Sequence, residues 1–251
     1  MFADGEIIEI GYGEPGMDRR DFLKTSGAFA ATSIVGLKTG ISAEPEKPKL
    51  TIPRYRGFNL LEKFGEWGPR ARFKEEDFEI MTEWGFDFAR IPMSYWRWSS
   101  KDDWFKIDEA VLKEIDEVVE FGKKYKVHIN LNLHRIPGYC VNDRKKEPVD
   151  LYEDTPENMQ KALDGAIFHW KLFAKRYKGI PSSQLSFDLI NEPPHTPDET
   201  PHVRVVTALV KAIREEDPDR LIFSDGQSYG RTPISALPTS ASFKALAAIR
   251  P

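Results

Sequence analysis

The sequence predicts an α/β fold built on a parallel sheet, and three observations predict it. From residue 55 onward short apolar runs alternate five times with segments of helical periodicity, and the short connections between them imply parallel pairing. Two of the predicted strands carry polar residues at every second position. Charged and polar side chains then collect at the strands' C-terminal ends. The alternation by itself allows a doubly wound sheet or a (β/α)8 barrel. A flat parallel sheet covered by helices on both faces reads as continuously apolar, so two polar-faced strands favour a barrel interior.

In order, RGFNLL (56–61) reads as a strand and FKEEDFEIMTEWG (73–85) as a helix ending at Gly85. FDFARIP (86–92) is a second strand, halted by Pro92. Over 108–122, Val111, Leu112, Ile115, Val118 and Val119 share one face of a helix. In VHINLNLH (127–134) the odd positions are apolar and the even ones, His128, Asn130, Asn132 and His134, are polar, so one face packs on helices and the other meets something polar. Residues 157–177 are helical with Met159, Leu163, Ile167, Trp170 and Tyr177 inward, and Gly179 ends that helix. LSFDLINEPPH (185–195) begins as a strand with Leu185, Phe187 and Leu189 on one face and Ser186, Asp188 and Glu192 on the other, and Pro193-Pro194 stop it. The next helix, 202–216, turns Val206, Leu209, Val210 and Ile213 inward, and RLIFSDG (220–226) is the fifth strand.

The bulk properties exclude more than they identify. At 251 residues, 40% hydrophobic and 30% charged, the chain is an ordinary globular one. A formal net charge of −4 gives no electrostatic footing for nucleic acid or an anionic membrane. Cys140 is the single cysteine, so neither an intrachain disulfide nor a thiolate metal cluster can form. No strand is followed by GxGxxG or GxxxxGK[ST], which argues against a nucleotide site.

Near the N-terminus, MDRRDFLKTSGAFAATSIVGLKTGISA (17–43) has the twin arginine, apolar stretch and small-residue end of a cleavable, Tat-like export signal. We therefore expect residues 1–16 to be a mis-called upstream extension, 44–53 a linker, and the mature protein to be exported to the periplasm or exterior, with the Tat machinery as the precursor's partner and no membrane attachment after cleavage. Residues 54–235 form the folded domain on this reading.

Arg90, His134 and the Asn191-Glu192 pair fall at the ends of strands two, three and four, which in a (β/α)8 barrel open on one mouth. Singly each has a plainer use: Arg90 a structural ion pair, His134 a strand-end hydrogen bond, Asn191-Glu192 a capping turn. Together, RGFNL, WGFDFARIPMSYW, NLNLHRIPGYC and SFDLINEPP resemble the family 5 cellulases, a family within a clan of retaining β-glycosidases, over roughly residues 54–235. The resemblance implies an incomplete (β/α)8 barrel with about five of eight units and a two-carboxylate hydrolysis of β-glycans, without metal or other cofactor. It implies that Glu192 is the general acid/base, that Asn191 hydrogen-bonds the sugar 2-hydroxyl, that Arg90 keeps a nucleophilic carboxylate ionised and that His134 touches substrate. Trp96 and Trp98, in the loop after strand two, are read as sugar-stacking platforms, with ordinary packing the alternative.

The same family places its nucleophile, a second Glu, at the end of strand seven, and this chain ends after five predicted strands. No nucleophile is therefore expected among its residues; Asp225, Glu62 and Glu66 are the only carboxylates placed to substitute. LPTSASFKALAAIRP (237–251) shows neither strand alternation nor a good helix. We read 236–251 as an aberrant tail, translated out of frame, because its codons shifted to their third base permit a string similar to the segment after strand five in family members. An open barrel of this kind is expected to be poorly stable and inactive. Two other classes stay open: a carbohydrate-binding remnant without chemistry, and a metal-dependent hydrolase using His128, His134 and His195. Glucan, mannan and xylan all remain as substrates.

Overall fold

Short apolar strands bounded by proline and glycine, each followed by a helix with one apolar stripe, assemble as the pattern predicts. The computed structural model describes residues 53–65, 71–235 and the strand Leu246–Ile249, all within one compact unit, 49–251. The expected extension, export signal and linker up to residue 52 lie outside the described residues, as does Glu66. The elements are β1 (Gly57–Asn59), α1 (Glu75–Glu83), β2 (Phe88–Ser94), α2 (Glu109–Tyr125), β3 (His128–Ile136), β4 (Tyr139–Cys140), α3 (Pro156–Arg176), β5 (Leu185–Asp188), α4 (Thr200–Glu216), β6 (Leu221–Asp225) and β7 (Leu246–Ile249). The sheet runs β1-β2-β3-β5-β6-β7, every neighbouring pair parallel, with β4 turned back antiparallel on β3. Sequential parallel order with a helix in each of the first four crossovers is an arc of a (β/α)8 barrel.

The helices start where their chemistry says. Asp108 caps α2 by accepting from the Ala110 amide, and Thr155 caps α3 by accepting from Asn158, with Pro156 in the first turn. Between helices and sheet lies a core that includes Trp170, Phe173, Phe187, Leu131 and Ile115, all fully buried. The Trp170 and Phe187 rings sit 5.1 Å apart, and the indole N–H reaches the Leu189 carbonyl at 3.1 Å.

The polar face of β3 lies against β5, as the alternation predicts. Asn130 is in register with Ser186 and Asn132 with Asp188. The Asn130 amide donates to Ser186 Oγ at 2.9 Å, and His128 shares the same hydroxyl at 2.7 Å. At the N-terminal ends of β5 and β6 the buried Arg220 pairs with Asp217 and donates to the Leu185 and Tyr177 carbonyls, a stabilising role suited to that rim.

Three expectations change. Pro92 does not halt β2, which continues to Ser94. The Arg90 carbonyl and the Ser94 amide both bond toward the β1 side, so residue 92 faces that side too, beyond the end of β1, where a missing N–H breaks no ladder. Second, β4 adds a hairpin at the mouth; Gly138 makes its turn at φ +78, where a Cβ would stand 2.4 Å from that of Ala162. Third, the tail is not without regular structure: β7 pairs parallel with β6 from Ile222↔Leu246 to Asp225↔Ile249, so six parallel strands are present among the described residues where five are predicted. The run Leu246-Ala-Ala-Ile is apolar throughout, so it offers no alternation from which a strand could be read.

Candidate active site

Because β2, β3, β5 and β6 run in one direction, the residues at their C-terminal ends share one rim. Asp188 closes β5, and four residues on the chain turns at Glu192, whose φ is +49. Arg90, from the middle of β2, reaches Asp188 and Asn191. Its Nε donates to Asp188 Oδ2 at 2.8 Å and an η nitrogen donates to Asn191 Oδ1 at 2.8 Å. A guanidinium can only donate, so the amide oxygen of Asn191 must face it. The other half of that amide, Nδ2, is buried with no protein partner, a donor held in reserve.

Asp188 is fully buried, and burial pushes its carboxyl up to about 7 against the opposing pull of Arg90. Asp225, at the end of β6, is also raised, mainly by burial. Its Oδ2 accepts the backbone N–H of Glu192 at 2.8 Å, while Tyr139 in β4 donates its hydroxyl to the Glu192 carbonyl at 2.5 Å. The Glu192 side chain itself is exposed to solvent.

His134 stands near the end of β3 with its ring edge-on to Phe64, 4.6 Å between centroids. Burial, then Arg90 and Arg135, pull its pKa down to about 3, so the imidazole is neutral at any working pH. Its Nδ1 is buried without a protein partner. Trp96 is half-buried in the loop after β2; its indole N–H donates to Glu147 at 2.8 Å, and Lys101 and Arg135 lie over its ring at 4.1 and 5.3 Å. Glu147 also accepts from Tyr95 at 2.7 Å and from the Gly138 amide at 3.1 Å, tying that loop to the β3–β4 turn.

The structure thus brings Arg90, Asn191 and Glu192 together and adds Asp188, Tyr139 and Asp225. Trp98 must be corrected: it is fully buried, donates to His169 Nδ1 at 3.1 Å and packs on Phe173, so it is core and presents no stacking face. The three histidines of the metal reading do not meet. His128 begins β3, six residues before His134 and hence roughly 20 Å away at strand rise. His195 bonds Ser228, and among the described residues no group of three or more His, Cys, Asp or Glu is placed to hold a metal. Of the substitute carboxylates, Asp225 is engaged by the Glu192 backbone. Glu62 lines a separate cleft of about 330 Å³ with Phe58, Leu60, Asp77, Ile80 and Met81. Asp188 is visible in the sequence as a charge on the polar face of its strand; Tyr139 gives no periodic signal, since it acts from a two-residue hairpin strand.

A family model described as cellulase (glycosyl hydrolase family 5) matches residues 45–245. The chain belongs to glycosyl hydrolase family 5. Endoglucanase C of Acetivibrio thermocellus is 35% identical over 155 residues, which is 62% of this chain and 43% of that protein. A solved structure described as a glycoside hydrolase is 36% identical with a TM-score of 0.67, covering 73% of this chain and 56% of the other. The endoglucanase Cel5A of Thermotoga maritima is 26% identical with a TM-score of 0.54, over 71% and 53%. The chain therefore spans about half the length of these relatives. The family match runs across β1 to β6, and thus across every strand that contributes to the rim.

Proposed function

We propose that the chain carries the acid/base half of a retaining, two-carboxylate β-glucan hydrolase. The observation that supports it best is the contact of Arg90 with Asn191, which leaves the Asn191 Nδ2 as a buried spare donor next to the exposed carboxyl of Glu192. On this reading Glu192 protonates the glycosidic oxygen as the bond to the leaving sugar breaks. Asn191 Nδ2 donates to the 2-hydroxyl of the sugar being transferred, a bond that strengthens in the transition state. The neutral His134 and the edge of Trp96 contact the sugar without adding charge. The matching relatives named endoglucanases make a β-glucan the first substrate class to test.

A retaining mechanism needs a second carboxylate roughly 5 Å from the first, and among the described residues the rim carboxyls Asp225 and Asp188 are both engaged, by the Glu192 amide and by Arg90. The chain by itself is accordingly proposed to bind glucan without hydrolysing it. Purified protein incubated with barley β-glucan should release no reducing ends, yet should bind cellotetraose; turnover that Glu192→Gln abolishes would refute the inactivity and keep the acid/base role. Binding indifferent to both Glu192→Gln and Asn191→Ala would favour a carbohydrate-binding remnant instead.

Export through a Tat-like signal at 17–43 is part of the same proposal, as is the out-of-frame origin of 236–251. Processing at the small residues before Glu44 in a secreting host tests the first. The downstream DNA tests the second: absence of coding similarity in the shifted frame would remove it.

A further inference from the structure

We propose that Tyr139 and Asp225 are positioning residues that hold the peptide groups on either side of Glu192 and so fix the direction of its carboxyl; the functional half of this rests on Glu192 being the acid/base. Glu192 adopts φ +49, a left-handed conformation that is strained for a non-glycine residue. It also precedes Pro193, and a following proline favours extended backbone. Its local sequence therefore opposes the conformation it holds, and tertiary contacts must impose it.

Those contacts are present on both of its backbone polar groups. Asp225 Oδ2 accepts the amide at 2.8 Å from β6, and the Tyr139 hydroxyl donates to the carbonyl at 2.5 Å from β4. Burial raises the Tyr139 phenol far above its ordinary range, so it remains a donor at every working pH. Among the described residues four non-glycines have positive φ: Lys126, which ends α2, and Glu192, Ser228 and Tyr229. The last three lie in two loops that bond each other. The Tyr229 amide donates to the Pro193 carbonyl at 2.7 Å and the Ser228 amide to Pro194 at 3.1 Å. Both arms of the clamp share an anchor. His202 Nε2 bonds the Asp225 carbonyl at 3.0 Å; a carbonyl only accepts, so Nε2 carries the proton and Nδ1 accepts from Tyr152 at 3.0 Å. Tyr152 packs edge-on against Tyr139, 5.5 Å away. Backbone strain concentrated at one rim, over-determined from two strands, is what a pre-aimed side chain requires.

The test uses the full ¹⁵N/¹³C-labelled chain. Hydrogen exchange of the Glu192 amide should accelerate at least about tenfold in Asp225→Ala, the loss of one hydrogen bond, while the amides of Phe187 and Phe223 keep their rates. Asp225→Asn retains an acceptor oxygen and should restore most of the protection. Tyr139→Phe removes only the hydroxyl and should move the Glu192 carbonyl ¹³C resonance without slowing or speeding the strands; it also serves if Asp225→Ala does not fold. Equal Glu192 exchange in wild type and Asp225→Ala, or acceleration spread evenly over β5, would overturn the clamp. Cellotetraose separates the two levels. A variant that loses Glu192 protection yet shifts the Asn191 side-chain amide as wild type does would overturn the positioning role. No response in any form would sink the glycosidase reading, with exchange still deciding the clamp.

Discussion

Arg90 and Asp188 form a salt bridge of 2.8 Å between strands separated by β3, with the carboxylate fully buried and the guanidinium 18% exposed. Arg90 is the cation that neutralises that interior carboxyl, and the same group orients Asn191. Arg90→Ala should therefore leave Asp188 buried without its cation, so that it takes up a proton, and the loss of stability should grow as pH rises above about 7, where wild-type Asp188 is ionised. Arg90→Ala with Asp188→Asn removes the uncompensated charge and should recover most of it. Urea unfolding of the two variants checks this; equal losses would show the ion pair to be incidental.

The packing of the two tryptophans after β2 predicts opposite consequences. Trp98→Ala opens a cavity in the core and should cost about 3–5 kcal/mol. Trp96→Ala should cost less, because its ring is only partly buried and Glu147 keeps the Tyr95 and Gly138 donors. Its effect should fall on cellotetraose affinity. Thermal midpoints and sugar titrations on both variants distinguish them, and a Trp96→Ala chain with unchanged affinity would remove Trp96 from the site.

How far the sequence is legible depends on what each kind of residue does. Apart from β4, the strands and helices from 56 to 225 declare themselves because burial imposes period 2 or 3.6, and Asn191-Glu192 because a polar pair and two prolines follow an apolar run, although the strand itself ends earlier, at Asp188. Trp98 is misread because a tryptophan in a loop has the same one-dimensional context whether its ring faces sugar or Phe173. β7 escapes notice because an all-apolar run of four carries no alternation. Tyr139 and Asp225 act on backbone groups of Glu192, a relationship that leaves no spacing rule. Arg90 illustrates both sides: its presence on the second strand is readable, whereas it sits mid-strand and not at the predicted end because β2 runs on to Ser94, and its partner Asp188 emerges only once β2 and β5 lie across β3.

The raised carboxyl of Asp188 gives a pH dependence with a definite sign. Its folded pKa of about 7 lies above the ordinary value of 3.8, so between those values the folded state binds more protons than the unfolded one. This group's contribution to stability is fully present below about pH 4 and is lost as pH rises toward 7. Three buried histidines and the half-buried His134 act the other way. His128 and His202, lowered to about 4, and His134 and His169, lowered to about 3, must gain protons on unfolding and favour the fold as pH rises to 6.5. Asp188→Asn deletes only the opposing contribution. Its stability should thus climb more steeply than wild type between pH 4 and 7, by up to about 4 kcal/mol over the window. Parallel curves for the two proteins would contradict a raised Asp188.

If Glu192 is a competent acid lacking only a nucleophile, a small anion should replace the missing carboxylate. Formate or azide added with an activated aryl β-cellobioside should attack the anomeric carbon as the aryl oxide departs. With a poor leaving group the departing oxygen needs the proton of Glu192, and the bond does not break without it. Rescue should then be seen for good and poor leaving groups in the wild-type chain, but only for good ones in Glu192→Gln. General acid catalysis is worth about 10²–10⁴-fold, so the separation is large enough to read by aryl oxide release. Asp225→Ala should fall between the two, since its Glu192 is chemically intact but no longer held at φ +49. Rescue that ignores residue 192 for every leaving group would assign the acid elsewhere on the rim.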